Sequence, residues 1–201
     1  ASAVAEQGGL GVISATGLDF MEPGRSVAKE IYAAKEKTDG VIGVNIMVAL
    51  SDFEKLVRES IAAGADILFA GAGLPLELPG LLPAGTKTKI APIVSSGKAA
   101  KLIAKRWQSR FGYTPDAVVV EGPLAGGHLG FKPDDLTDPS CTLESIVRDV
   151  QRELEPFGPI PLIAGGGVYY GGDIANVLDL GVCAAQLGSR FVTTDECDAS
   201  P

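Results

Sequence analysis

The only histidine of the chain, His128, lies in EGPLAGGHLG (121–130), among four glycines and just past an apolar run. An imidazole there can accept a proton as a general base or return one as imidazolium. The plainer reading is a loop histidine satisfied by a backbone carbonyl. Gly126 and Gly127 carry no side chain, so a flat ligand can come close to the main chain. Glu121 ends the apolar run and either faces a ligand or pairs with a lysine or arginine. Two further stretches suit an anion. In PLIAGGGVYYGG (161–172), Gly165, Gly166 and Gly167 can turn their N–H groups inward as a nest. In AAQLGSRF (184–191), Gly188 and Ser189 follow Gln186. Each alone also reads as a tight turn, but the pair on successive strands points to a phosphate. Asn45 interrupts an apolar run; its buried amide needs partners, from a ligand edge or from backbone. Lys98 reads as a solvated first-turn helix lysine rather than a phosphate ligand.

These residues must be positioned by regular elements. Apolar, β-branched runs recur at 10–14, 41–48, 66–71, 88–94, 116–122, 160–166 and 183–189. Continuous apolar runs of this length suit strands buried on both faces of a parallel sheet. Amphipathic segments lie between them at 51–65, 96–112, 142–158 and 171–181. Ser51 with Glu54 predicts a capping box, and Thr142 predicts an N-cap, with Ser145 where a glutamate would complete the box. The alternation predicts an α/β fold, either an open doubly wound sheet or a (β/α)8 barrel. GAGLPL (71–76) lacks the third glycine of the dinucleotide fingerprint, and a loop follows it. The even repeat favours the (β/α)8 TIM barrel, as a single domain over 1–201. Seven strands are counted where eight close a barrel. Residues 1–7 read as a helix end closed by Gly8 and Gly9, so the first strand is expected upstream, outside this chain. The turn-rich stretch 14–26 is not expected to hide it.

Composition narrows the function. With 46% apolar and 21% charged residues the chain is globular. A net charge of -8 and scattered lysines and arginines argue against nucleic acid. No apolar stretch is long enough for a membrane span. Cys141, Cys183 and Cys197 form no metal or disulfide spacing, which favours a reducing, cytoplasmic setting. No metal site is expected.

GGLGVIS, GVNIMV, FAGAGLP, VVVEGPLAGGHLG, IAGGGV and QLGSRF, in this order, resemble the nitronate monooxygenase (2-nitropropane dioxygenase-like) family, which includes flavin-dependent enoyl-ACP reductases. The resemblance spans essentially the whole chain, and the A-G-G-H-x-G motif is its most specific element. It implies a barrel binding FMN non-covalently. Gly165 to Gly167, Gly188 and Ser189 would hold the FMN phosphate. Asn45, Glu121, Gly126, Gly127 and Gln186 would lie around the isoalloxazine, and His128 would be the catalytic base or proton donor. Ser189 stands where the family usually has threonine, keeping the hydroxyl. The family's first strand, with a Q-G-x-M-type segment, and the region after ECDAS have no counterpart here. Weaker flavin binding, lower stability or completion by another polypeptide is therefore expected. The implied reaction is oxidation of alkyl nitronates with oxygen. The alternatives are NAD(P)H-dependent reduction of an enoyl thioester or quinone, and a non-redox barrel binding a phosphorylated metabolite. A homo-oligomer is compatible with either flavin reading.

Overall fold

The computed structural model describes residues 1–195 and 197. In chain order the elements are α1 (Ser2–Glu6), β1 (Gly11–Ser14), α2 (Leu18–Met21), α3 (Val27–Lys35), β2 (Ile42–Met47), α4 (Phe53–Ala62), β3 (Ile67–Gly71) and β4 (Lys89–Val94). They continue with α5 (Gly97–Phe111), β5 (Val118–Glu121), α6 (Leu143–Leu154), β6 (Leu162–Gly165), α7 (Gly171–Leu178), β7 (Ala184–Gln186) and α8 (Ser189–Val192). All seven apolar runs form strands, each trimmed by one to a few residues. Residues 14–26 hold turns and the short α2. The helix α3, capped by Ser26, is one the amphipathic reading passed over.

The chain forms two compact units, Ala1–Ala91 and Pro92–Pro201. In the first, β1, β2 and β3 pair in parallel, with Asn45 between Ser14 and Phe69. In the second, the end of β4 pairs with β5, β5 with β6 and β6 with β7, all parallel. In each unit every strand's neighbour is the next strand in sequence. A doubly wound sheet reverses its order at a switch point; a (β/α)8 barrel does not. The fold is of the (β/α)8 class.

Packing follows the sequence pattern. The strand β3 is buried throughout, and in β5 only Glu121 is partly open. On α5 the buried positions Ala100, Ile103, Ala104 and Trp107 follow the helical repeat, and Trp107 meets Tyr113 edge to face at 6.1 Å. The Ser96 hydroxyl accepts from the Ala99 N–H at the start of α5, and Gly112 closes its end with φ +61°.

The predicted capping box and the predicted N-cap exchange outcomes. On α6, Thr142 Oγ1 accepts from the Ser145 N–H at 3.1 Å, and Ser145 Oγ accepts from the Thr142 N–H at 3.2 Å, so serine does the work of the glutamate. On α4 the box does not form. Turn bonds from Leu50 N–H to Met47 O and from Phe53 N–H to Leu50 O carry Ser51 one residue short, and Asp52 is the N-cap, without a side-chain bond. Thr142→Ala is therefore expected to cost about 1 kcal/mol. Ser51→Ala is expected to stay within about 0.5 kcal/mol. Urea unfolding of the two variants checks both values.

Side chains tie the N-terminal ends of the strands to neighbouring backbone in both units. In the first, Asp66 Oδ2 accepts from the Ile42 N–H at 2.8 Å and from Lys35 Nζ at 2.9 Å, and Thr88 Oγ1 donates to Ala65 O at 2.8 Å. In the second, Cys183 Sγ donates to Leu162 O at 3.1 Å, and Gln151 Nε2 donates to Leu180 O at 2.9 Å.

Candidate active site at the strand ends of the second unit

Strand pairing brings Glu121, Gly165 and Gln186 into one row, because Glu121 pairs with Gly165 and Gly165 with Gln186. Adjacent strands lie about 4.8 Å apart, so Glu121 and Gln186 are separated by one strand. Gly165 leaves that gap bare. A Cβ there would lie 3.0 Å from the Gln186 Cβ. Gln186 Nε2 crosses the row and donates to Glu121 Oε1 at 3.0 Å. Glu121 thus pairs with a neutral amide, whereas the sequence pointed to a ligand or a cation.

Burial pushes the Glu121 carboxyl above its ordinary range, and the Gln186 amide draws it part of the way back. Between the unfolded and folded pKa values the folded protein keeps a proton that the unfolded chain has lost. Stability therefore falls as pH rises through that window, from the ordinary carboxylate range upward. Thermal unfolding of wild type and Glu121→Gln across this range should show a decline in the wild type that the variant lacks.

The loop after β5 is fastened at both ends. At its start, the Gly122 N–H donates to Gly165 O at 2.9 Å and the Ala125 N–H to Gly122 O at 3.0 Å. A Cβ on Gly166 would lie 3.0 Å from backbone atoms of Gly122 and Ala125, and one on Gly167 would lie 2.9 Å from Leu124 Cδ1. Gly166 (φ +104°) and Gly167 (φ +83°) also hold conformations open to glycine. At its end, Gly130 sits against Ser95. Between the fastenings, Gly126, Gly127 and His128 are exposed, and a Cβ on either glycine would meet only open space. No packing contact accounts for a bare Gly126.

The loops after β6 and β7 leave donors free. Among the described residues, the N–H groups of Gly166, Gly167 and Gly188 have no protein acceptor. Gly188 and Ser189 are exposed and follow directly on the Gln186 row. Just before α7, Asp173 Oδ2 accepts from the Tyr170 N–H at 2.7 Å and the Tyr169 N–H at 3.0 Å, which holds its carboxyl below the usual range. Asp173 thus places a carboxylate at the start of that helix, where it disfavours a second anion. Arg190 lies over the Tyr169 ring at 5.3 Å, joining the two loops. Asp173, Tyr169 and Arg190 were missed by the sequence reading; the arginine next to Gly188–Ser189 was the available signal.

Asn45 belongs to the first unit and is half-buried there rather than buried; its backbone carbonyl accepts from the Ala15 N–H at 3.0 Å. Lys98 is exposed on the first turn of α5. A cavity of about 280 Å³ lies at the opposite, N-terminal ends of β6 and β7, beside Pro161, Leu162 and Cys183. None of the anticipated site residues lines it. Among the described residues, no cluster of histidine, cysteine and carboxylate is placed to hold a metal, and no helix is long and apolar enough to cross a membrane.

The family profile described as nitronate monooxygenase matches residues 59–201. The chain belongs to the nitronate monooxygenase family. Within reach of that family, FabK from Thermotoga maritima superposes with a TM-score of 0.80 at 33% identity, over 100% of this chain and 57% of FabK. A nitronate monooxygenase from Pseudomonas aeruginosa is 29% identical over 100% of this chain and 64% of its own length. A (3aS,4S,5R,7aS)-5-hydroxy-7a-methyl-1-oxo-octahydro-1H-indene-4-carboxyl-CoA dehydrogenase from Rhodococcus jostii (strain RHA1) is 31% identical over 96% of the chain and 47% of the relative. The chain thus spans about half the length of that relative. Nitronate monooxygenase family members of these kinds are oxidoreductases.

Proposed function

We propose that the protein is an FMN-dependent oxidoreductase of the nitronate monooxygenase type, oxidising alkyl nitronates with oxygen. The observation that carries this reading is the Glu121–Gly165–Gln186 row, flanked by glycine loops with free N–H groups and by the loop displaying His128. These residues fit FMN. Unpaired backbone N–H groups suit a phosphate, and the open space at Gly126, Gly127 and Gly188 admits a flat ring system and its chain. When bound, FMN supplies the redox chemistry, and the protein supplies position and proton transfer. Gly166, Gly167, Gly188 and Ser189 hold the phosphate, with Arg190 adding positive charge beside them. Gln186 offers a polar group to the ring edge, with Glu121 bonded behind it. His128 takes the substrate proton or returns it.

A second reading keeps FMN and changes the reaction to NAD(P)H-dependent reduction of an enoyl thioester or quinone. Its support is the likeness, across this chain, to part of FabK and to part of a dehydrogenase whose name carries a CoA thioester. Anaerobic mixing separates the two: rapid flavin reduction by NAD(P)H favours the reductase, and reduction by a nitronate alone excludes it.

The first test is a visible spectrum of the purified protein before and after adding FMN and desalting. A retained flavin band is expected. Gly188→Leu, whose Cβ enters open space, keeps the backbone N–H but fills the room beside it, and should weaken FMN binding about tenfold or more, on the order of 1.4 kcal/mol. No retained flavin in the wild type would overturn the assignment.

A further inference from the structure

We infer that Glu121 is a positioning residue that acts through Gln186, fixing which end of the Gln186 amide faces the flavin. This rests on the FMN reading above and adds to it a division of labour within the row. A glutamine amide can flip, exchanging an acceptor oxygen for a donor nitrogen at nearly constant shape. Left alone, Gln186 would offer either face to a ligand. At pH above its raised folded range the Glu121 carboxyl is ionised, and an ionised carboxylate is an acceptor only. With Glu121 Oε1 at 3.0 Å, the nitrogen must point toward it, since two oxygens at that distance would repel. The carbonyl Oε1 of Gln186 is thereby committed to the other side, as a fixed acceptor for a ligand N–H.

Three features favour this role over a purely structural one. Gly165 keeps the gap between the two side chains bare, and a Cβ there would press on Gln186. Both side chains are half-buried, so neither is held merely as part of the core. Among the described residues Gln186 is also the only side chain bonded to the Glu121 carboxylate, so the pair is not part of a wider ion network.

The test is a double-variant cycle on FMN affinity, read by flavin fluorescence together with the wavelength of the visible flavin band. Glu121→Gln keeps size and shape but allows both amide orientations. It is expected to weaken FMN binding by about threefold to tenfold, the range of one ordinary hydrogen bond, and to shift the band. Gln186→Leu should weaken binding and shift the band in its own right. In the Gln186→Leu background, adding Glu121→Gln should change neither readout, because the residue it acts through has gone. An undiminished effect of Glu121→Gln in that background, or no effect of it in the wild type, would overturn the inference and leave the FMN reading intact. A wild-type protein that binds no FMN would overturn both.

Discussion

His128→Ala should lower turnover by about 10²- to 10⁴-fold, the usual contribution of a general acid or base. Flavin affinity and thermal stability should stay close to wild type. The histidine is exposed on the unfastened middle of its loop, so its loss opens no cavity and breaks no fold contact. The two ends of the loop remain pinned by Gly122 on the β6 side and Gly130 on Ser95. Steady-state kinetics with a primary nitronate, alongside a flavin titration, separate the proton-transfer role from binding. A variant that keeps wild-type turnover would remove His128 from the chemistry. A parallel loss of flavin would make it a binding residue.

Gly166→Val should cost about 2–6 kcal/mol and release the flavin with it. Two effects add. A side chain at φ +104° occupies a sparsely populated region, at about 1–3 kcal/mol. Its Cβ would then stand 3.0 Å from backbone atoms of Gly122 and Ala125, which cannot rotate away, and such overpacking adds about 1–3 kcal/mol. The displaced segment is the start of the loop that carries His128, so binding and catalysis should fail together. Gly126→Ala is the control: its methyl group enters open space, and stability should move by less than about 0.5 kcal/mol. Urea midpoints and retained flavin absorbance report both variants. A Gly166→Val protein with wild-type stability would mean the loop does not rest on that glycine.

The strands were legible because burial on both faces demands continuous apolar runs. Even the three-residue β7 could be found from CAAQLGS. Caps were less legible. The residues at Thr142 and Ser145 fixed a real cap, but the same pattern at Ser51 failed, because turn bonds from Leu50 and Phe53 decide where α4 begins. Sequence singled out Glu121, Gln186 and the glycine loops one by one, since strand ends and glycines are local signals. It could not pair Glu121 with Gln186. That contact spans 65 positions and depends on strand order and on Gly165 standing bare between them. Nor could it tell glycines that admit packing, such as Gly166 and Gly167, from Gly126, which borders open space. Only neighbours in space make that distinction.

The ties at the N-terminal strand ends have an evolutionary corollary. Asp66 and Thr88 in one unit, and Gln151 and Cys183 in the other, lock strand register from the side away from the candidate chemistry. A one-residue slip would invert every side chain of a strand, and these bonds oppose it without help from the loops at the C-terminal strand ends. The loops at the other ends are then free to drift. Substrate preference can diverge by exchanging residues around 122–130 and 186–190 while the scaffold is inherited intact. Amide exchange should record this split, with slow exchange at Ile42 and Cys183 and fast exchange at Gly126 and Gly188.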